Sequence, residues 1–344
     1  MLDETDITII PTMNPDGFDR GTEGSCSGAD YKTGRYNEGN IDLNRNFPTW
    51  ADVGKTREEL FDGREPETQA IMRLILDHPW VMSANFHDGA VVASYPYDDY
   101  QGTGQQSGIS KTPDQSFFHH LASTYATNHQ TMLDTSICSR WYFKDGITNG
   151  ADWYALYGGM QDFNYIFTND FEITLELSCC KYPRKYYLNK EWERNKRSML
   201  EYLKQVHRGV KGLVYTSYHD DNTKDELTVQ SNAVVSVTNS GGDLIRKQVS
   251  SSDRGEYWRL LMPGQYWIQA HLDMCQEAGL IMVSEKIQVS LTDQEPLINL
   301  DLVMNTTLYD CNDLTDTSKE DDDKDEKEEE DEEKCMLKIF NICL

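Results

Sequence analysis

An alternating run in the middle of the chain, Phe171-Glu-Ile-Thr-Leu-Glu-Leu-Ser178, sets the tightest limit on the fold. Side chains alternate across a strand, so Phe171, Ile173, Leu175 and Leu177 share one face. Glu172, Thr174, Glu176 and Ser178 share the other. A glutamate late in an otherwise apolar strand is costly to bury ionised unless it has a partner or a task. The plain alternative is a strand with one solvated face. The run closes a longer segment, GITNGADWYALYGGMQDFNYIFTNDFEITLELSCCKYP from Gly146 to Pro183, whose first half is rich in glycine, asparagine and tyrosine.

Upstream, Ile7 to Met13 reads as a strand, and Asn14-Pro15-Asp16-Gly17 as a turn. Glu67 to His78 reads as a helix, with Ile71, Leu74 and Ile75 at helical spacing and Pro66 suited to its first turn. Val81 to His87 is a strand ending in histidine, and Ala90 to Asp98 reads AVVASYPYD. Thr112-Pro113 starts a helix running to about Asn128. Asn189 caps a long helix with Trp192, Leu200, Leu203 and Val206 on its inner side. From Val210 the texture changes to short alternating runs separated by turn residues, the pattern of an all-β sandwich. The expected divisions are 1–207, 208–304 and an acidic tail, 305–344, whose charge density and lack of apolar residues predict disorder.

The 344 residues suffice for two domains. Of the net charge of −26, eleven excess negative charges come from residues 310–334 alone. Nucleic acid is therefore not an expected partner, since phosphate binding needs basic surface. No run of about 18 apolar residues offers a transmembrane segment. Met1 to Asp6 lacks the basic start and apolar run of a signal peptide, Met336 to Leu344 is short for a lipid-anchor signal, and Cys343 is misplaced for prenylation. Eight cysteines occur without a CxxC zinc pattern; some disulfides are expected, with pairing left open. Asn305-Thr306-Thr307 is a glycosylation sequon, relevant if the chain is exported.

GITNGADWYALYGGMQDFNY followed by FEITLELSCCKYP resembles the zinc metallocarboxypeptidases of the regulatory branch, which holds carboxypeptidases E, N, D and M. ELSCCKYP and YLKQVHRGVKG are most like the M members. The resemblance covers roughly residues 5 to 304. It implies an α/β mixed-sheet metallocarboxypeptidase domain, incomplete at its N-terminus, followed by a transthyretin-like β-sandwich and the tail. It implies roles for single residues as well. Glu176 would be the general base, and Arg35 would polarise the scissile carbonyl. Asn44, Arg45 and the mobile Tyr154 would hold the substrate carboxylate. Asp98 would read a C-terminal Arg or Lys above Gln161 at the pocket floor. His87 matches one zinc ligand, with Asp88 where the family usually has glycine, and Asp42 would orient another zinc histidine.

The family's other two zinc ligands lie in a His-x-x-Glu pair, and none of the eight histidines here is followed by glutamate three positions later. The zinc site is therefore expected to be incomplete, because a catalytic zinc normally keeps three protein ligands. Two functions follow. One is a truncated form of a secretory-pathway or extracellular enzyme, monomeric, that removes C-terminal Arg or Lys from peptides and proteins. The other is a non-catalytic binder of peptide C-termini. Sequence upstream of Met1 would separate them.

Overall fold

The computed structural model describes residues 3–26, 34–100, 106–138, 141–218, 226–274 and 280–310. Seven α-helices occur in that range: α1 (Pro15–Asp19), α2 (Arg57–Phe61), α3 (Pro66–Leu76), α4 (Gln115–Asn128), α5 (Gly150–Trp153), α6 (Met160–Phe167) and α7 (Leu188–Leu203). Four strands lie among them: β1 (Met82–His87), β2 (Val92–Tyr95), β3 (Ile147–Asn149) and β4 (Phe171–Glu176). They form a mixed sheet in the order β1-β4-β2-β3. β1 runs parallel to β4, β2 antiparallel to β4, and β3 parallel to β2.

All six residues of β4 are buried, so its polar face is not solvated as the plain sequence reading allowed. The apolar face meets α4, where Phe117, Phe118, Leu121, Ala122 and Tyr125 recur at helical spacing and are buried. Phe118 stacks on Phe171 with ring centroids 5.1 Å apart. α3 begins on Pro66, as its sequence suggested, and buries Thr68, Met72 and Ile75.

Two expectations fail here. Ile7 to Met13 forms no ladder: among the described residues β1 pairs only with β4, and Ile9 remains 81% exposed. A β-prone run becomes a strand only where a neighbouring edge takes up its backbone groups. In α7, Asn189 lies inside the helix, and the cap position falls on Tyr187. The buried residues of α7 are Asn195, Ser198 and Tyr202, while Trp192 and Leu200 are 56% and 49% exposed. The polar Asn195 wins a buried place because Tyr125 donates its hydroxyl proton to Asn195 Oδ1 at 2.7 Å.

The rest of the described chain is strand: β5 (Gly209–Tyr218), β6 (Glu226–Val229), β7 (Val234–Thr238), β8 (Val249–Ser250), β9 (Glu256–Arg259), β10 (Gly264–Met274), β11 (Leu280–Ser284), β12 (Ile287–Leu291), β13 (Leu297–Asn299) and β14 (Leu302–Asp310). They surround one apolar core that includes Val210, Val214, Val235, Val237, Tyr257, Ile268, Leu302 and Met304. β5 links the halves: its first residues pair with β13 and β9, its last with β14 and β6. This strand-rich region grips the mixed-sheet region through Arg259, which reaches Asp114 before α4, and through Asn169 Nδ2, which donates to Ser250 O at 2.8 Å. Among the described residues no helix is long and apolar enough to cross a membrane. The acidic run after residue 310, with Cys311, Cys335 and Cys343, lies outside the described residues, as does Cys275.

Candidate active site

Ligand sites in open α/β sheets tend to lie beyond the carboxyl ends of parallel strands. The parallel register of β1 and β4 sets His87 beside Glu176, both at such an end. His87 Nδ1 lies 3.8 Å from Glu176 Oε1. Burial and the cations Lys181 and Arg35 pull the imidazole down to about 4, so it is neutral at pH 7. Burial pushes Glu176 up to about 7, against Lys181 and Arg35, and its Oε2 has no hydrogen-bond partner. Asp88 is pushed up to about 8, by burial and then by the Glu176 charge. Lys181 Nζ donates to Asp88 O and so ties down the loop after β1.

A short 3-10 turn, Leu43–Arg45, delivers Arg45. Asp42 caps it, its Oδ1 accepting from Asn44 N at 3.1 Å. Asp42 Oδ2 also pairs with Arg35 Nη2 at 2.8 Å and lies 4.0 Å from Arg45 Nη1. Asp42 therefore has work in this chain: one carboxylate sets the turn and holds two guanidiniums beside each other. Asn44 Oδ1 accepts from Met160 N at 2.9 Å, which docks the turn onto the start of α6.

α6 carries Gln161 and Asp162, both buried. Gln161 Nε2 donates to Asp98 Oδ1 at 2.6 Å. Asp162 accepts the backbone N–H of Asp98 at 2.9 Å and that of Asp99 at 3.3 Å. A Cβ on Gly150 would overlap Asp98 Oδ1, and one on Gly159 would come within 3.0 Å of Asp98 Oδ2. The two glycines leave just the room that the carboxylate fills. Burial raises Asp98 to about 7; Arg45 opposes this, and Asp99 adds to it. Tyr154 is 44% exposed, and the groups acting on its hydroxyl after burial are Arg45, Glu176, Asp98 and Arg35.

All eight residues singled out from the sequence thus belong to one region. Arg35, Asn44, Arg45, His87, Tyr154 and Glu176 line a single open cleft of about 2340 Å³, and Asp98 and Gln161 sit behind Asn44 and Gly159. Sequence reasoning missed Asp162, Lys181 and the Gly150–Gly159 cradle; the adjacent Gln161-Asp162 pair was the only hint of the first. Glu172, on the same face of β4 as Glu176, is 1% exposed and hydrogen-bonded to Ser83 and Asn164. Among the described residues no three His, Cys, Asp or Glu side chains converge to hold a metal. Two disulfides fix the segment after β4, Cys26–Cys180 and Cys138–Cys179.

The zinc carboxypeptidase family model matches residues 1–198. Carboxypeptidase D of Drosophila melanogaster is 42% identical over 313 residues, covering 91% of this chain and 21% of that protein. Carboxypeptidase M of Mus musculus is 44% identical over 273 residues, 78% of this chain and 56% of that protein. The carboxypeptidase N catalytic chain of Mus musculus is 42% identical over 288 residues, 78% of this chain and 60% of that protein. The chain thus spans at most 60% of the length of these relatives. With more than half of its residues inside the family match, and with relatives of this similarity, the chain belongs to the zinc carboxypeptidase family, in the branch of carboxypeptidases D, M and N.

Proposed function

We propose that this chain carries the substrate-reading half of a carboxypeptidase that takes peptides ending in Arg or Lys. The observation that carries the reading is the Asp98 carboxyl, buried, held on Gln161 Nε2 and enclosed by two glycines. A buried carboxylate is costly without a partner charge, and a guanidinium or ammonium entering beside it relieves that cost. Arg45 and Asn44 stand next to it, suited to the peptide's terminal carboxylate. Tyr154, exposed and at the cleft rim, is placed to cover the bound residue. Glu176, with one oxygen unpartnered and its pKa near neutrality, suits a general base. Arg35 suits the carbonyl oxygen on which negative charge develops.

Zinc is the family's metal. This chain's described residues offer His87 to such a site and do not by themselves make one. Turnover is assigned to a form with a complete metal site. The two disulfides support an oxidising compartment, extracellular or secretory. A transthyretin-like identity for the strand-rich region, a monomeric state and the role of folding partner are part of the same reading.

The test uses the chain as it stands. Calorimetry with one peptide ending in Arg, in Leu, or in Arg-amide should give an affinity order Arg over Leu, with the amide weakest. Asp98→Ala should abolish the Arg preference while sparing the preference for a free carboxylate. Equal affinities for the Arg and Leu peptides in the wild-type chain would sink the reading.

A further inference from the structure

Asp98 is held from both ends by one helical turn. The first turn of α6 carries Gln161 and Asp162 side by side. Gln161 Nε2 donates to the Asp98 carboxyl at 2.6 Å. Asp162 reaches the other end of the same residue. Asp98 N lies 2.9 Å from both Oδ1 and Oδ2 of Asp162, and Asp99 N lies 3.3 Å from Oδ2. An acid in the first turn of a helix commonly caps its own helix. Here the buried Asp162 turns instead to a loop 63 residues earlier, and the start of α6 has no side-chain cap.

The rest of that loop is tied by neutral groups. Asn149 Nδ2 donates to Pro96 O at 3.0 Å. Tyr97 N donates to Ser110 O at 3.1 Å, and Tyr97 O accepts from Ala151 N at 3.0 Å. Asp98 O accepts from Leu156 N at 2.8 Å. At Asp98 N a carboxyl group stands in their place, beside the buried Asp98 and Asp99. Burial, then Asp98 and Asp99, push Asp162 well above the usual carboxylate range, and the two backbone N–H groups oppose them. A carboxyl is a costly group to bury there. Its shape gives the reason. The Asp98 N–H meets two oxygens at once, and one of them also takes the Asp99 N–H. Asparagine, of nearly the same size, would set an NH2 donor against one of these donors.

We propose, on the reading of Asp98 as the acid that meets a basic substrate residue, that Asp162 is a specificity-determining positioning residue. It fixes the backbone at Asp98 and Asp99 and so aims the Asp98 carboxyl at the incoming guanidinium or ammonium. It acts through Asp98 and does not itself meet the ligand. The short Asp98 side chain cannot correct for a shifted backbone by rotating, because Gly150 and Gly159 crowd both of its oxygens.

The full chain is titrated by calorimetry with one peptide ending in Arg, in Leu or in Arg-amide. Asp162→Asn should cut the Arg-over-Leu preference about ten-fold or more, as unmaking a buried bond to an acid implies. It should leave the preference for a free carboxylate over the amide unchanged. In an Asp98→Ala background the same substitution should not alter the Arg-over-Leu ratio further, since the carboxyl it acts through is gone. A mere brace for the fold would weaken all the peptides alike, in both backgrounds, and that result would overturn the assignment. So would an Arg preference that survives Asp162→Asn and is lost in Asp98→Ala, which leaves the reading of Asp98 intact. Equal affinities for the Arg and Leu peptides in the wild-type chain would sink both. Should Asp162→Asn fail to fold, hydrogen exchange in the wild-type chain decides. The Asp98 and Asp99 amides should be protected in the free chain and gain more protection with the Arg peptide than with the Leu peptide. Exchange at the rate of exposed loop amides, or equal gains with the two peptides, would count against Asp162.

Discussion

Arg259 should hold the two regions of the molecule together, and its removal should be measurable from both. Its side chain is 0% exposed and that of its partner Asp114 1%. Arg259 Nη2 contacts Asp114 Oδ1, and Nη1 donates to Leu260 O at 2.9 Å. The guanidinium carbon sits 5.5 Å from the centre of the Phe171 ring, at the root of β4. Asp114 Oδ2 accepts from Tyr165 of α6 at 2.7 Å. Removing one partner of a buried pair costs about 3–5 kcal/mol, mostly because the other charge is stranded. Arg246 Nε, 3.7 Å from Asp114 Oδ1, can take up part of that charge, which places Arg259→Met near the lower end. At about 2.1 cal/mol/K per residue of unfolding entropy, a loss of 3–5 kcal/mol lowers Tm by about 4–7 °C for a chain of this size unfolding as a unit. The assay is a double-mutant cycle of Arg259→Met and Asp114→Asn in urea. The double variant should lose at least about 2 kcal/mol less than the sum of the singles. An additive cycle, or a cost for Arg259→Met below about 1 kcal/mol, would refute the idea that this contact carries the interface.

In a form with a complete metal site, Glu176→Gln should cut kcat by about 10²–10⁴-fold with KM nearly unchanged; steady-state kinetics decides, and a change within a few-fold removes Glu176 as base. Gly150→Ala, whose methyl overlaps Asp98 Oδ1, should erase the Arg-over-Leu preference in peptide binding with little change in Tm; an intact preference would mean that the carboxylate is not fixed there. Zinc should be held at well under one equivalent after dialysis, by elemental analysis of the chain as it stands; a full equivalent lost on His87→Ala would contradict this. Asp170 has a folded pKa of about 7, raised from an ordinary carboxylate value, so its stabilising contribution is full below pH 4, declines as pH rises, and is gone above pH 7. Asp170→Asn should therefore flatten the fall in melting temperature between pH 5 and pH 8, and an unchanged slope would show that Asp170 ionises freely.

The site residues were named through the family resemblance, and local pattern added direction for only some of them. The alternation of Phe171–Glu176 and the strand ending at His87 each fix a side chain's direction within a few residues. What was not legible depends on partners far along the chain. Trp192 and Leu200 have helical spacing, but which face of α7 is buried was settled by Tyr125, some 70 residues away. Ile7 to Met13 has strand composition, yet strand formation depends on a neighbouring edge, which composition does not report. The burial of Glu172 depends on its register against Ser83 and on the approach of Asn164 from α6, which are properties of the assembled sheet. The short strands β6, β8 and β11 are likewise defined by their partners in the ladder, which alternating runs alone do not name.

The buried acids connect the site to stability. Asp98, Asp162, Asp170, Glu172 and Glu176 are all less than a tenth exposed, and burial is the leading cause of the rise in every one of their pKa values. Each therefore favours a proton in the folded chain, or a cation in its place. A ligand that binds only the folded state stabilises it by RT ln(1 + [L]/Kd), about 2.7 kcal/mol at a hundred-fold excess over Kd. A basic side chain at Asp98 would act in this direction, neutralising a carboxylate that the fold has desolvated. Asp98 also acts on Glu172, so a cation beside Asp98 lowers the electrostatic cost that Glu172 bears.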